Sequence, residues 1–275
     1  MIIKMPTLKS KILGSLVAAA AGDSIGAATE LRTIEQIKRD FNGWVTTFMA
    51  PPQDTFGRCN KAGMVTDDFI QGRYILEAAL ERNGQVNDEV LRNAFKRWLE
   101  YPFYPNFTGP TTRAAMQRIF DDKRQSLQGD AEAGEPAQDF VLINNGNASA
   151  TNGAAMKAWA ATMLSLSNPE KLIANTYEIA KFTHNNVISV SGACAISTAV
   201  NAALEEGKTL KEIMQIGIQG ADQGYQYADQ NGAMMMAGPS VARRIELALQ
   251  IGEKHDSWET AVVELADIIG TGLHA

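Results

Sequence analysis

Apolar residues recur every three to four positions through most of the chain, which is the spacing of one face of a helix. That spacing predicts helices over residues 7–22, 33–40, 67–83, 87–100, 110–120, 153–165, 169–183, 187–205, 210–227, 238–252 and 257–270. No convincing series of alternating apolar and polar residues marks a sheet, so the expected fold class is all-α. Several boundaries are readable. Thr66 and Asn87 precede first turns that carry acids, Asn83-Gly84 closes a helix, and Asn168-Pro169-Glu170 opens another. Two stretches, "SLVAAAAGDSIGAA" and "SVSGACAISTAVNAAL", are rich in small residues and predict central helices whose backbones approach closely. No fixed-period repeat is visible, and no apolar run reaches the roughly 20 residues of a bilayer-spanning helix. The expectation is one domain over residues 1–275 with no membrane partner.

Two long connections interrupt the helical pattern, residues 41–65 and 121–150. Loops of such length inside compact domains are functional or disordered. Both lead directly into polar residues of interest, Asp67 and Asn152, which favours function.

Composition narrows the classes. The 275 residues are 45% hydrophobic and 20% charged, with a formal net charge of −6. That balance fits a folded soluble chain. With no run of Lys or Arg, nothing points to a nucleic-acid partner held by counterion release. Cys59 and Cys194 form no CxxC pair and no cluster with the three histidines, so neither a disulfide framework nor a zinc site is indicated. A reducing, cytoplasmic location follows. The N-terminal "MIIKMPTLKSKILGSLVAAAAGD" has the early lysines and apolar run of a signal peptide, but it is Ala-rich, contains Gly14 and runs on into the domain. Nothing in the sequence sets an oligomeric state.

The candidate chemistry starts at "VTDDF". Thr66 reads as an N-cap, and Asp67 and Asp68 complement the positive end of a helix. The same residues suit a metal site. Neighbouring helical side chains diverge by about 100°, so each aspartate could hold one of two ions about 4 Å apart. Oxygen donors of this kind select Mg²⁺, Mn²⁺ or Ca²⁺. Two carboxylates are too few for two divalent ions, and Asp23 and Glu30 are the nearest further acids in sequence. Asp222 and Asp229 share one helical face and read as solvated. In "NASATNGAAMKAWA", Asn152 and Gly153 open onto a predicted helix, where backbone N–H groups make an anion site or an ordinary turn. His184 lies at a helix junction, a usual place for a structural hydrogen-bonder.

Taken together, "GSLVAAAAGDSIGAATE", "VTDDF", "GPTTRAAM", "TNGAAMK", "THNNVISVSGACA", "AGPSVARRIELAL" and "ADIIGTGLHA" resemble, in order, the ADP-ribosylglycohydrolase superfamily. That group includes the dinitrogenase reductase-activating glycohydrolases and the ADP-ribosyl-acceptor hydrolases. The resemblance implies an all-α fold with two Mg²⁺ ions, or Mn²⁺, in a central cleft. By matching positions, Thr66, Asp67 and Asp68 would form half of the metal site, with Asp67, Asp68 and Glu30 as catalytic carboxylates. Asn152, Gly153, Ala154 and Met156 would cradle the diphosphate or ribose, and His184 would face the same cleft. The implied reaction is hydrolysis at C1″ of an ADP-ribosyl group on a small molecule or a protein.

The resemblance also has departures. In family members the segment like "IIGTGLHA" is followed by a further helical region and a GGDxDT motif that completes the metal site. The sequence ends at Ala275 before any such motif. Three readings are open: a C-terminally truncated piece, which the intact helix before the end favours; a second polypeptide that supplies the rest; or a short, metal-poor relative. Phe69 stands where many relatives have Thr. Non-catalytic alternatives are a binder of ADP-ribose-like ligands and a crystallin-like structural protein. A glycosidase on another small N-glycoside is a further enzymatic one.

Overall fold

A computed structural model describes residues 6–120 and 149–270. Twelve α-helices form the described part: α1 Leu8–Gly26, α2 Ile34–Asp40, α3 Asp67–Leu80, α4 Asp88–Leu99, α5 Tyr104–Phe107, α6 Pro110–Phe120, α7 Trp159–Ser165, α8 Leu172–Lys181, α9 Val187–Leu204, α10 Leu210–Gln230, α11 Val241–Lys254 and α12 Trp258–Ile268. No strand occurs among the described residues, so the fold is all-α as expected. The one extended contact is a single parallel bridge between Asn186 and Met234.

Most helix ends fall where the sequence places them. Asn83 and Gly84 take positive φ of 56° and 77° and turn α3 back against α4. Asn87 caps α4 by accepting from Val90 N at 3.0 Å. Two predicted helices break differently. The stretch 153–165 begins as turns and a 3-10 segment, Ala155–Lys157, before α7. The stretch 169–183 opens with the 3-10 turn Pro169–Lys171 before α8. The short α5 lies inside a segment that reads as a connection.

Helix α9 is long and apolar enough to cross a bilayer, with 18 residues at a mean hydropathy of 1.7. This corrects the expectation that no run qualifies. Most of its length is covered by other helices, so it is a central helix here. Its main partner is α10, whose Gly217, Gly220 and Gly224 lie on one face. A Cβ at Gly217 would come within 3.2 Å of the Ala195 carbonyl, and one at Gly224 within 2.7 Å of Cys194 Sγ. The small residues of α9 therefore have a matching small face opposite.

A separate aromatic core joins α3 to α8, built on Phe95, Trp98, Phe107 and Met116. Cys59 and Val65 of the 41–65 connection pack against it, and polar contacts hold the connection in place. Asn60 donates to the Val65 carbonyl at 3.0 Å, and Asp54 accepts from Arg32 at 2.5 Å. Of the 121–150 connection, residues 121–148 lie outside the described residues.

Candidate active site

The C-terminal turn of α1 and the N-terminus of α3 meet to form one wall of a cleft. Asp23, near the end of α1, reaches across to α3: its carboxylate accepts from Thr66 N at 2.7 Å, Thr66 Oγ1 at 2.5 Å and Phe69 N at 3.3 Å. Thr66 occupies the N-cap position, yet its side chain makes no capping bond to its own helix. The expected self-capping is thus replaced by capping from a carboxylate 43 residues earlier. A carboxylate is the stronger acceptor for orphan helix N–H groups, and its charge complements the helix end.

Asp67 and Asp68 follow directly, both half-buried. Glu30 faces them from the turn after α1, where Leu31 is held at φ 61°, a conformation that costs a branched L-residue energy. Burial, then the nearby Asp68 and Asp23, push the Glu30 carboxyl up to about 7. Burial and Asp23 raise Asp68 to about 6, against the opposing pull of Lys157. Asp67 lies well above the usual carboxylate range, through burial first and then Asp68 and Glu30. Asp23 is also raised by burial, in spite of its three hydrogen bonds. Four acids that repel one another therefore sit on one wall.

Facing them is the turn of residues 151–157. Lys157 is 0% exposed. Its ammonium donates to the Gly153 carbonyl and, at 2.9 Å, to Thr183 Oγ1. Burial lowers it to about 7, while Asp67 and Asp68 hold it up. His184 is also 0% exposed, with its ring nitrogens hydrogen-bonded to the hydroxyls of Thr151 and Thr183, each at 2.8 Å. Burial, then Lys157 and Arg118, keep the imidazole neutral. A Cβ at Gly153 would lie 2.6 Å from His184 Cε1, so the turn rests directly on the ring.

Two expectations change here. His184 does not face the cleft; it supports the turn from behind, because Gly153 leaves room for the ring. Ala154 is 0% exposed and packs in the core with Tyr177 and Val187, so its side chain does not line the cleft. The expected helix N-terminus is a turn instead, and the Met156 N–H is already spent on the Asn152 carbonyl at 3.0 Å. Asn152 and Met156 do line the cleft.

The space between the walls is a cavity of about 400 Å³ bounded by Asp23, Glu30, Asp68, Asn152 and an aromatic shelf. The shelf is Phe69 stacked on Trp159, with ring centroids 5.3 Å apart and planes 15° apart. A smaller adjoining space is lined by Asp67, Thr111, Thr112 and Gly153. Asp222 and Asp229 are exposed on α10, away from these walls. Lys157 gave no sequence signal, because a lysine in a helical pattern normally reads as solvated. Asp23 was visible only as a nearby acid.

Residues 4–273 match the family model described as ADP-ribosylglycohydrolase. The chain belongs to that family. It is 28% identical over 267 residues to the uncharacterized protein YegU of Escherichia coli strain K12, an alignment that covers 95% of this chain and 72% of YegU. Glycosidic hydrolysis is the chemistry that ADP-ribosylglycohydrolase membership supports. The acidic wall fits magnesium in kind, since it offers only hydroxyl and carboxylate oxygens crowded into mutual repulsion. It does not fit in number. Among the described residues no three His, Cys, Asp or Glu side chains come close enough to hold one ion.

Proposed function

We propose that the chain hydrolyses the glycosidic bond at C1″ of an ADP-ribosyl group, carried by a small molecule or a protein. The observation that supports this most is the convergence of Asp23, Glu30, Asp67 and Asp68, from two segments, on the cleft that Asn152 and Met156 close. Thr66, Asp67 and Asp68 would hold part of a Mg²⁺ site, with Mn²⁺ as an alternative. When bound, such ions supply Lewis-acid polarisation of ribose oxygens and water.

The rest falls to the chain's own residues. Asp23 fixes the start of α3, so Asp67 and Asp68 project from a rigid frame. Glu30 lines the same cavity and titrates near neutrality, where a carboxyl both takes and returns a proton efficiently. Phe69 and Trp159 give the sugar an apolar floor and exclude water. Lys157 holds the opposite turn in place and offsets part of the acids' charge.

A second reading, a binder without catalysis, draws on the acids' failure to group in threes among the described residues. One assay separates the two. The protein is incubated with an ADP-ribosyl-arginine or ADP-ribosyl-serine peptide and Mg²⁺, and release of ADP-ribose is followed beside Asp67→Ala and Asp68→Ala. Release that either substitution abolishes supports hydrolysis. No release, with calorimetric binding of ADP-ribose retained, supports the binder. Release from another N-glycoside alone moves the substrate away from ADP-ribose.

A further inference from the structure

Across the Thr151–Asn152 turn from the acids lies a second cavity of about 460 Å³. That volume is in the range of a small-molecule site. Asn152 lines both cavities, so the two form adjoining compartments on either side of one turn. The second compartment differs sharply in character. Its lining is largely aliphatic, with Ile188, Met236, Val241, Ile245 and Ile269, and includes no Asp or Glu among the described residues.

Into this lining comes one cation, Arg244 of α11. Its guanidinium donates to the Ile269 carbonyl, and the ion pairs found on this helix among the described residues belong to Arg243 and to Lys254 and Glu253 rather than to Arg244. Five donors are available on a guanidinium, so one carbonyl leaves most of them unspent. Ser189, which is 5% exposed and lines the same cavity, has a buried hydroxyl without a hydrogen-bond partner. Apolar walls with one half-buried arginine and one unspent hydroxyl suit a group that is mainly apolar and carries an anionic oxygen.

The charge arrangement also sets the direction of a ligand that spans the turn. Four carboxylates on one side repel an anion, while Arg244 on the other attracts it. The ribosyl end belongs with the acids and the anionic end with Arg244. Resting on the ADP-ribosyl reading above, we propose that Arg244 marks a phosphate subsite for the far end of the substrate. The preferred ligand is then an ADP-ribosyl group with an additional phosphate on its adenosine side. An arginine beside a ribose 2′-phosphate is a known solution to this recognition problem.

The experiment compares binding of ADP-ribose and ADP-ribose 2′-phosphate by calorimetry, with the wild type, Arg244→Gln and Arg244→Lys. The wild type is expected to bind the 2′-phosphate at least about tenfold more tightly, the size of one charge-assisted hydrogen bond. Arg244→Gln brings the ratio close to one, and Arg244→Lys keeps part of it. Equal affinities in the wild type overturn the proposal, as does a preference that survives in Arg244→Gln. An equal loss of both ligands in Arg244→Gln also overturns it, because the arginine would then serve the shared diphosphate or the fold. If neither ligand binds the wild type, the ADP-ribosyl reading itself fails and this proposal falls with it. Ala248→Trp, which fills the cavity, abolishes the tenfold preference; its persistence would place the phosphate elsewhere and overturn the assignment.

Discussion

The two walls of the cleft are built on opposite electrostatic principles. On the 151–157 side the two buried titratable groups are both partnered: Lys157 is held by Gly153 and Thr183, and His184 by Thr151 and Thr183. On the other side Glu30, Asp67 and Asp68 stand together with their charge only partly offset by Lys157, and burial and repulsion raise all three. A paired wall keeps its shape. An unpaired one carries a cost that folding alone does not recover, which is the pattern expected where a ligand supplies the missing charge. On the proposed function, the difference separates residues that position from residues that react.

The largest effect is predicted on the unpaired wall. Asp67→Ala or Asp68→Ala should reduce ADP-ribose release by about 10³-fold, the scale of losing a catalytic carboxylate. Neither should unfold the protein, and the metal-free melting temperature should rise, since each removes a repelling charge. Circular dichroism melts beside the activity assay check both halves.

The paired wall should respond in stability. Lys157→Met leaves the Gly153 carbonyl and Thr183 hydroxyl short of a donor and should cost about 2–3 kcal/mol in urea unfolding. Gly153→Ala drives a methyl into His184 and should cost about 1–3 kcal/mol. A loss of stability on the acidic wall as large as that of Lys157→Met would erase the contrast between the walls.

A pH titration sharpens it further. Glu30 and Asp68 have folded values of about 7 and about 6, above their ordinary 4.5 and 3.8. The folded state then binds more protons than the unfolded one in that window. Their stabilising contribution is complete below about pH 4; it is lost as pH rises through the folded values. Without metal, the melting temperature should therefore fall between about pH 4 and 7, and Asp68→Asn should flatten the fall. The smallest effects belong to the exposed Asp222 and Asp229: Asn at either should change stability by less than about 0.5 kcal/mol and leave activity untouched.

How much of this could be read from the sequence follows the range of the interactions. Helical periodicity located nearly every helix, because one buried face leaves a local trace, as in α4 with Val90, Leu91, Ala94, Phe95 and Trp98. Thr66, Asp67 and Asp68 were legible as a unit, and so was the turn at Asn152. Their partners were not. Asp23 caps α3 from another helix, and Lys157 turns inward to Thr183, contacts that leave no pattern in neighbouring residues. The burial of His184 and Ala154 depends on how α8 and α9 pack behind the turn, and Gly153 is the only local hint. The 3-10 segment 155–157 reads as helix because it differs from one by less than a turn.

The proposal that the acidic wall takes up a cation bears on everything else said of the site. Its most direct test is the melting temperature at pH 7.5 as Mg²⁺ is added, for the wild type and for Asp68→Asn. A saturable rise of about 5 °C or more at a hundredfold excess over Kd is expected in the wild type, and little or none in Asp68→Asn. No rise in the wild type, or the same rise in both proteins, would contradict it.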